Sequence, residues 1–421
     1  QFEDSLRDGR LLCTTEKKIT MNETSTHYDA VIVGLGKTGL SCVRYLLQQG
    51  LSIAVTDSRT EPPELDALKN QYSSVPVYLG EIDAGVLLSA EQVVLSPGVP
   101  LDDRVVKQAI ENGMPVFGDV ELFCQQAKAP IIAISGSNGK STVTTLVADM
   151  AEKAGLKVGV GGNLGTPVLE LLEEIPDVYV LELSSFQLET TFSLNAHAST
   201  VLNISPDHMD RYASLNDYAA AKKKIYGGNG VMVLNQDDTI VNAMSEPSRN
   251  SISFSLHEPK DNNFGIVKEE NDVWLCQGDN RIIKQSELGI KGEHNTANAL
   301  AAMALAASID IPVQAMVESL KSFTGLPHRC QWVRTVNSVD WFNDSKATNV
   351  GACIASIQGL SDLGSIILIA GGDSKNADLS DLVPAVTHIM QTLPDQRVLN
   401  VYNCNYLIVV KFPIQLNQQL P

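Results

Sequence analysis

Two glycine-rich turns, each with a lysine at the start of the helix that follows, are where this 421-residue chain can do chemistry. The first, Gly34-Leu35-Gly36-Lys37-Thr38-Gly39, follows the apolar run Ala30–Val33 and precedes a helical pattern with Leu40, Val43, Leu46 and Leu47 on one face. A G-x-G-x-x-G turn in that setting lets the backbone approach a pyrophosphate, whose charge the free N–H groups of the helix start receive. Asp57 closes the next apolar run eighteen residues beyond Gly39, where an acidic side chain would meet a ribose or base. Alone, this pattern suits an NAD-dependent dehydrogenase, or a tight βα turn that binds nothing.

The second turn, Gly136-Ser137-Asn138-Gly139-Lys140-Ser141-Thr142, follows the apolar run 131–134 and opens a helix with Val143, Leu146, Val147 and Met150 at helical spacing. Its amides can wrap phosphates, Lys140 can reach the terminal ones, and the Ser141 hydroxyl can ligate magnesium. Ile134 stands where the full P-loop pattern has its first glycine. A dehydrogenase has no use for an ATP-cleaving loop. The pair therefore points to ATP chemistry on a second, nucleotide-bearing substrate.

These loops need strands and helices to aim them. Short apolar runs at 30–33, 52–56, 93–95, 131–134, 178–183 and 366–370 alternate with helical patterns, which argues for an α/β fold of parallel sheets covered on both faces. Three nucleotide-fold-like (Rossmann-like) blocks are expected, at 21–118, 119–324 and 325–421, with residues 1–20 an extension outside the fold. No apolar tract is long enough to span a membrane. The seven cysteines, Cys13, Cys42, Cys124, Cys276, Cys330, Cys353 and Cys404, show no C-x-x-C spacing, as expected of reduced thiols in a cytoplasmic protein. A formal charge of −18 disfavours nucleic acid and anionic lipid, so anionic ligands need local positive sites.

From residue 28 to about 380 the chain resembles the Mur ligases, and among them the members that add D-glutamate. The resemblance is carried, in the family's order, by both glycine loops, Asp57-Ser58-Arg59, Ser96-Pro97-Gly98, Gly118-Asp119-Val120-Glu121-Leu122-Phe123, Gly161-Gly162-Asn163 and Leu181-Glu182-Leu183-Ser184-Ser185-Phe186-Gln187-Leu188-Glu189. It continues through Asp207-His208-Met209-Asp210-Arg211-Tyr212, His294-Asn295-Thr296-Ala297-Asn298-Ala299, Gly325-Leu326-Pro327-His328-Arg329 and Asn343-Asp344-Ser345-Lys346-Ala347-Thr348-Asn349. It implies a three-domain enzyme in which ATP phosphorylates the alanyl carboxylate of UDP-N-acetylmuramoyl-L-alanine and the amine of D-glutamate attacks the acyl phosphate. Magnesium, in two sites, and lysines offset the crowding of anions. The enzyme implied acts as a monomer.

The resemblance also assigns roles. Lys140, Glu182, His208, Lys222 and Lys346 are the catalytic set. Gly136, Ser137, Asn138, Gly139, Lys140, Ser141 and Thr142, with Asn298, Arg329 and Asp344, hold ATP. Lys37, Thr38, Asp57, Ser58, Arg59, Ser96, Pro97 and Gly98 receive uracil and diphosphate, and Asn163 reaches toward the muramoyl part. Ser141, Glu182, His208 and Lys222 are metal ligands, the last as a carbamate formed by the neutral amine with carbon dioxide. Lys346, Thr348 and Lys375 hold D-glutamate. Read from residue type alone, Glu182 could cap a helix, His208 could be structural, Lys222-Lys223-Lys224 could be a solvated helix face, and Asn295 and Asn298 could cap the helix 297–307.

The 46 residues after Lys375 hold one serine, Ser380, and one phenylalanine, Phe412, and lack the family's late Ser-Pro-x-x-x-Ser-x-Asp-x-Phe segment. From about 398 the chain resembles a frameshifted end, and its apolar stretch 406–412 is expected to be an exposed strand edge. Such a chain should bind the UDP substrate yet form the amide poorly. A folylpolyglutamate synthase-like ligase and a non-catalytic nucleotide-binding remnant are the alternatives. Asp57-Ser58-Arg59 argues against the first, and a phosphate-release assay with and without D-glutamate tests the second.

Overall fold

The computed structural model describes residues 27–270, 272–336, 339–347, 349–361, 365–369, 380, 382, 384 and 408–412. By density of contacts the chain divides into two compact units, residues 1–135, 156–199 and 220–230 forming the first and 136–155, 200–219 and 231–421 the second.

In the first unit, β1 (Ala30–Val33), β2 (Ile53–Asp57), β3 (Val77–Leu79), β4 (Val93–Leu95) and β5 (Val116–Phe117) form a parallel sheet of order β3-β2-β1-β4-β5. Every residue of β1, β2 and β4 is buried, which is why these strands read as unbroken apolar runs rather than alternating ones. Val31, Val33, Ala54, Val93 and Leu95 pack under Leu87, Val105 and Val106. Helix α1 (Lys37–Gln48) follows β1, and α2 (Leu65–Gln71), α3 (Ala84–Leu88), α4 (Arg104–Glu111) and α5 (Asp119–Cys124) follow in turn. The strand order reverses beside β1, so the loops after β1 and β4 flank the crevice where open α/β sheets bind ligands. The unit also holds β6 (Ile131–Ser135), β7 (Val158–Gly162) and β8 (Val178–Glu182), with β8 parallel to both of the others. Phe123 of α5 meets Tyr179 of β8 edge to face at 4.9 Å.

Strand β9 (Ala198–Val201) runs across the division between units. In the second unit α6 (Lys140–Lys153) packs on the alanine-rich α8 (Glu293–Ser308), whose residues 298–306 are all buried, and on α9 (Val313–Ser322). Between β9 and the next strand lies α7 (Leu215–Lys223), the last residues of which belong to the first unit. Strands β10 (Val231–Asn235), β11 (Ser251–Phe254) and β12 (Phe264–Glu269) pair parallel, then β12, β13 (Asp272–Gln277) and β14 (Asn280–Lys284) form an antiparallel ribbon that has no counterpart among the expected strands. Beyond residue 330, β15 (Gln331–Val336), β16 (Val339–Asn343), β17 (Ser365–Ile369) and β18 (Ile408–Phe412) pair antiparallel in the order β15-β16-β18-β17, with α10 (Val350–Ser361) between β16 and β17 in sequence. The stretch 406–412, expected as an exposed edge, instead supplies an interior strand: β18 has ladder partners on both sides, so its backbone donors and acceptors are used.

Candidate active site

In the first unit the glycine loop is braced by a carboxylate. Asp57, 2% exposed, accepts the Leu35 amide at 2.7 Å on Oδ2 and, on Oδ1, the Arg59 amide at 2.9 Å. Arg59 closes a two-pronged ion pair on the same carboxylate through Nε at 2.8 Å and Nη2 at 2.6 Å. Burial alone would raise the Asp57 carboxyl, but the hydrogen bonds from Arg59 and the Leu35 amide outweigh it and hold the group below its ordinary value. Asp57 thus shapes the turn and fixes Arg59. Ser96 Oγ donates to Gly34 O at 2.8 Å, joining the loop after β4 to the loop after β1. Gly34 has φ +95°, and a Cβ there would strike Ser96, so only glycine fits. Lys37 is exposed and Thr38 half-buried at the start of α1, which has no side-chain cap and no acidic residue in its first turn. Its first N–H groups are left for a ligand. Ser58, Arg59 and Gly98 are exposed, and Pro97 is half-buried.

Also in the first unit, Glu182 ends β8 with only 2% of its surface exposed. Asn163 grips it twice, its amide donating to Glu182 O at 2.8 Å and its Nδ2 to Oε1 at 2.6 Å. Oε2 is buried and has no hydrogen-bond partner among the described residues. A buried carboxylate oxygen in that condition costs free energy unless something cationic satisfies it. Gly162, φ +104°, leaves no room for a Cβ against the Glu182 backbone. Lys222, 1% exposed, is not on a solvated helix face: its Nζ lies 3.4 Å from Ser135 Oγ, which itself donates to Leu183 O at 2.7 Å. A lysine buried to this degree is uncommon, since its charged head gives up water on folding.

In the second unit the glycine loop 136–142 is braced largely by carboxamides and hydroxyls. Asn203 accepts the Asn138 amide at 2.8 Å and donates to Asn138 O at 3.0 Å, and the Ser137 amide donates to Asn203 O at 2.9 Å. Ser137 Oγ donates to Ser205 O at 3.0 Å and lies 3.3 Å from Tyr218 Oη, a phenol pushed well up by burial. Gly139 adopts φ +85° as the residue before α6, and a Cβ there would collide with the Asn298 carboxamide. Lys140 Nζ donates to Gly136 O at 2.9 Å and Ser137 O at 3.0 Å, spanning the mouth of its own loop. Thr142 is buried in the first turn of α6. Ser141 Oγ accepts from Arg329 Nη2 at 2.8 Å, so the sequence-distant arginine and the candidate metal hydroxyl do meet. His208 holds φ +56°, strained for a side chain of its size, and its amide donates to Asp207 Oδ1 at 3.0 Å.

A cleft of about 630 Å³ in this unit is lined by Asn138, Gly139, Thr142, His294, Asn298 and Arg329 among others, a volume suited to a nucleotide-sized ligand. Asn295 and Asn298 do not cap α8: the helix begins at Glu293 after Gly292, and the two amides bond Lys291 O and each other. Burial lowers His294, leaving a neutral ring on the wall. Asp344 accepts from the Cys330 amide at 2.9 Å and from Ser356 Oγ. Burial raises its carboxyl despite these bonds and nearby Arg329. Lys346 is exposed two residues on, while Thr348 and Lys375 lie outside the described residues. The sequence reading missed Ser135, Asn203, Ser205 and Asn349; only Asn349 stands in a quoted motif, and nothing local marks the others.

Comparison with known proteins agrees with this layout. Residues 28–118 match the Mur ligase MurD-like N-terminal domain and residues 134–306 the Mur ligase middle domain. UDP-N-acetylmuramoylalanine--D-glutamate ligase of Nitrosococcus oceani is 52% identical over 354 residues, 84% of this chain and 78% of that protein. The protein of the same name from Pseudomonas aeruginosa is 49% identical over 360 residues, 85% of this chain and 80% of its own length. Among solved structures, MurF of Acinetobacter baumannii aligns with TM-score 0.54 at 20% identity, covering 74% of this chain and 72% of that one. A murein peptide ligase of Psychrobacter arcticus aligns with TM-score 0.52 at 16% identity, covering 88% and 90%. These two likenesses speak to the fold.

Proposed function

This chain belongs to the Mur ligase family, and from that premise we propose that it is the ATP-dependent ligase that joins D-glutamate to UDP-N-acetylmuramoyl-L-alanine in peptidoglycan synthesis. The observation that carries the reading is the presence in one chain of two glycine-loop helices, each beginning with a lysine, each without a side-chain cap or first-turn acid, in a sequence about half identical to ligases of that name. One loop suits the UDP diphosphate and the other the ATP phosphates. The γ-phosphoryl group passes to an alanyl carboxylate oxygen, releasing ADP. The D-glutamate amine then attacks the acyl carbon, forming the C–N bond as inorganic phosphate leaves and the amine sheds a proton.

Lys140 would leave its loop carbonyls for the terminal phosphate, Arg329 and Asp344 would meet ATP, Lys346 a carboxylate of D-glutamate, and Arg59 and Lys37 the UDP end. Glu182 fits a divalent cation because its free oxygen is buried, and Ser141, His208 and a carbamylated Lys222 are the further ligands proposed for two magnesium ions. Magnesium would offset the negative charge gathered on the transferring phosphoryl group. The enzyme is taken to work as a cytoplasmic monomer without nucleic-acid or membrane partners; among the described residues no helix is long and apolar enough to cross a membrane. The test is phosphate release from ATP with UDP-N-acetylmuramoyl-L-alanine present, with and without D-glutamate. Release that needs the UDP substrate and rises with D-glutamate is expected, and release indifferent to both would refute the reading. In the same assay Lys222→Ala should lose activity and regain part of it with added short carboxylic acids.

A further inference from the structure

We propose that Asn349 is a positioning residue that registers the segment bearing Asp344 and Lys346 on the phosphate loop; the inference rests on the ATP reading of that loop. Asn349 Nδ2 donates to Asn138 Oδ1 at 2.9 Å and to Asp207 Oδ2 at 3.2 Å. Its Oδ1 accepts from Asn138 Nδ2 at 3.3 Å and from the Ala352 amide at 2.8 Å. Two donors and two acceptor sites are everything a carboxamide has. They are spent on three separate stretches: the loop that would cradle the ATP phosphates, the acid beside His208, and the first turn of α10. Two residues on, a Cβ at Gly351 would stand 3.1 Å from Ser205 Oγ and 3.6 Å from Asn138 Nδ2, so the start of α10 packs closely on Ser205 and touches the loop.

The Asn138 backbone is already fixed by Asn203. What Asn349 adds is the orientation of the Asn138 side chain and a link from the loop to the segment ending at residue 349. Acyl phosphate formation needs phosphate and carboxylate aligned to a fraction of an ångström, and an offset of about 1 Å can cost about a hundredfold in rate. A clamp that joins the loop to the cation-bearing segment therefore acts on turnover more than on nucleotide affinity.

Asn349→Ala and Asn349→Asp separate this role from helix capping. Aspartate keeps the acceptor for the Ala352 amide and is as good a cap, but it cannot donate to Asn138 or Asp207. Hydrogen exchange of the full nucleotide-free chain should show the 136–142 amides opening about tenfold more often in both variants, with Asn138→Ala adding nothing further to either. Unchanged loop exchange in Asn349→Asp would leave capping alone and overturn the proposal, as would additive effects. Should Asn349→Ala fail to fold, the aspartate variant carries the test. With ATP, magnesium and UDP-N-acetylmuramoyl-L-alanine, kcat for phosphate release should fall about tenfold to a hundredfold and the KM for ATP shift less than about threefold. A loss confined to KM would also overturn it. If the unaltered chain neither binds ATP nor releases phosphate, the functional reading fails by itself, and the exchange result still decides the clamp.

Discussion

The two glycine loops share a backbone plan and differ in what stands behind them. Both leave a buried strand, turn through glycines at positive φ and open a helix at a lysine with no side-chain cap. By contrast, α3 and α4 in the same unit as the first loop are capped by Asp83 and Asp103. The first loop is braced by a carboxylate whose charge a guanidinium answers, and the second chiefly by carboxamides and hydroxyls, with Lys140 lying across its own loop carbonyls. The diphosphate site proposed for the first loop tolerates Asp57 because Arg59 answers its charge. At the phosphoryl site proposed for the second loop, a brace without a carboxylate on the loop itself leaves the positive potential of the amides and Lys140 undiluted.

Lys140→Ala offers the hardest test of that contrast. Phosphate release should fall by about a thousandfold or more, roughly 4 kcal/mol, while calorimetry finds UDP-substrate affinity within about twofold of the original. The opposite pattern would exchange the roles of the loops. Asp57→Ala should do the reverse, freeing Arg59 and the Leu35 amide and weakening the UDP substrate by about fiftyfold while an ATP analogue binds as before. Because the Asp57 carboxyl is held below its ordinary value, the brace is intact above the usual carboxylate range and is lost only as pH falls through that depressed value. Affinity for the UDP substrate should therefore be insensitive to this group from about pH 5 to 8.

Asp119 sharpens the lesson from the same unit. It is buried at the start of α5, one carboxylate oxygen has no hydrogen-bond partner among the described residues, and burial pushes its pKa up to about 6. The folded state holds the proton between about pH 4 and 6 while the unfolded chain has released it, so stability declines as pH rises through that window. Asp119→Asn should then add about 2 kcal/mol near pH 7.5 and almost nothing at pH 4, read by denaturant titration. A loss at pH 7.5 would mean that a cation, as at Asp57, answers this charge too. Ser96→Ala is the mildest change: losing the bond to Gly34 O should cost about 1 kcal/mol of UDP-substrate affinity and leave phosphate release near its original rate at saturation.

The loops themselves were legible because their signal is local. Apolar runs at 30–33, 93–95 and 131–134 and the glycines after β1 and β6 fall where the strands and turns do, with boundaries moved by a residue or so at β2, β6, β8 and β17. The braces were not legible, because Asn203 and Asn349 reach the phosphate loop from 65 and 211 positions away from Asn138. Asp57 was correctly placed at the end of β2, but its spacing suggests a ribose acceptor and gives no hint that Arg59 and Leu35 would use its oxygens. Strands β12 and β13 lie outside the expected runs: each is only partly buried, and charged or polar residues bound its short apolar stretch. Lys222 reads as surface because three lysines in a row usually are, and only burial distinguishes the first of them.

The placement of β18 bears on when the molecule can assemble. It lies between β16 and β17, yet it is synthesised after both, and its pairing of Lys411 with Asp340 bridges 71 positions. β16 and β17 thus have no shared neighbour until the chain has been made as far as residue 412 and that strand threads between them. In the first sheet, successive βα units can dock as they emerge from the ribosome, at about 5–20 residues per second. The sheet that leads into Asp344 and Lys346 waits for closure of a long loop, a slow step set by chain entropy. A nascent chain would therefore acquire its two glycine loops before the sheet that leads into Asp344 and Lys346.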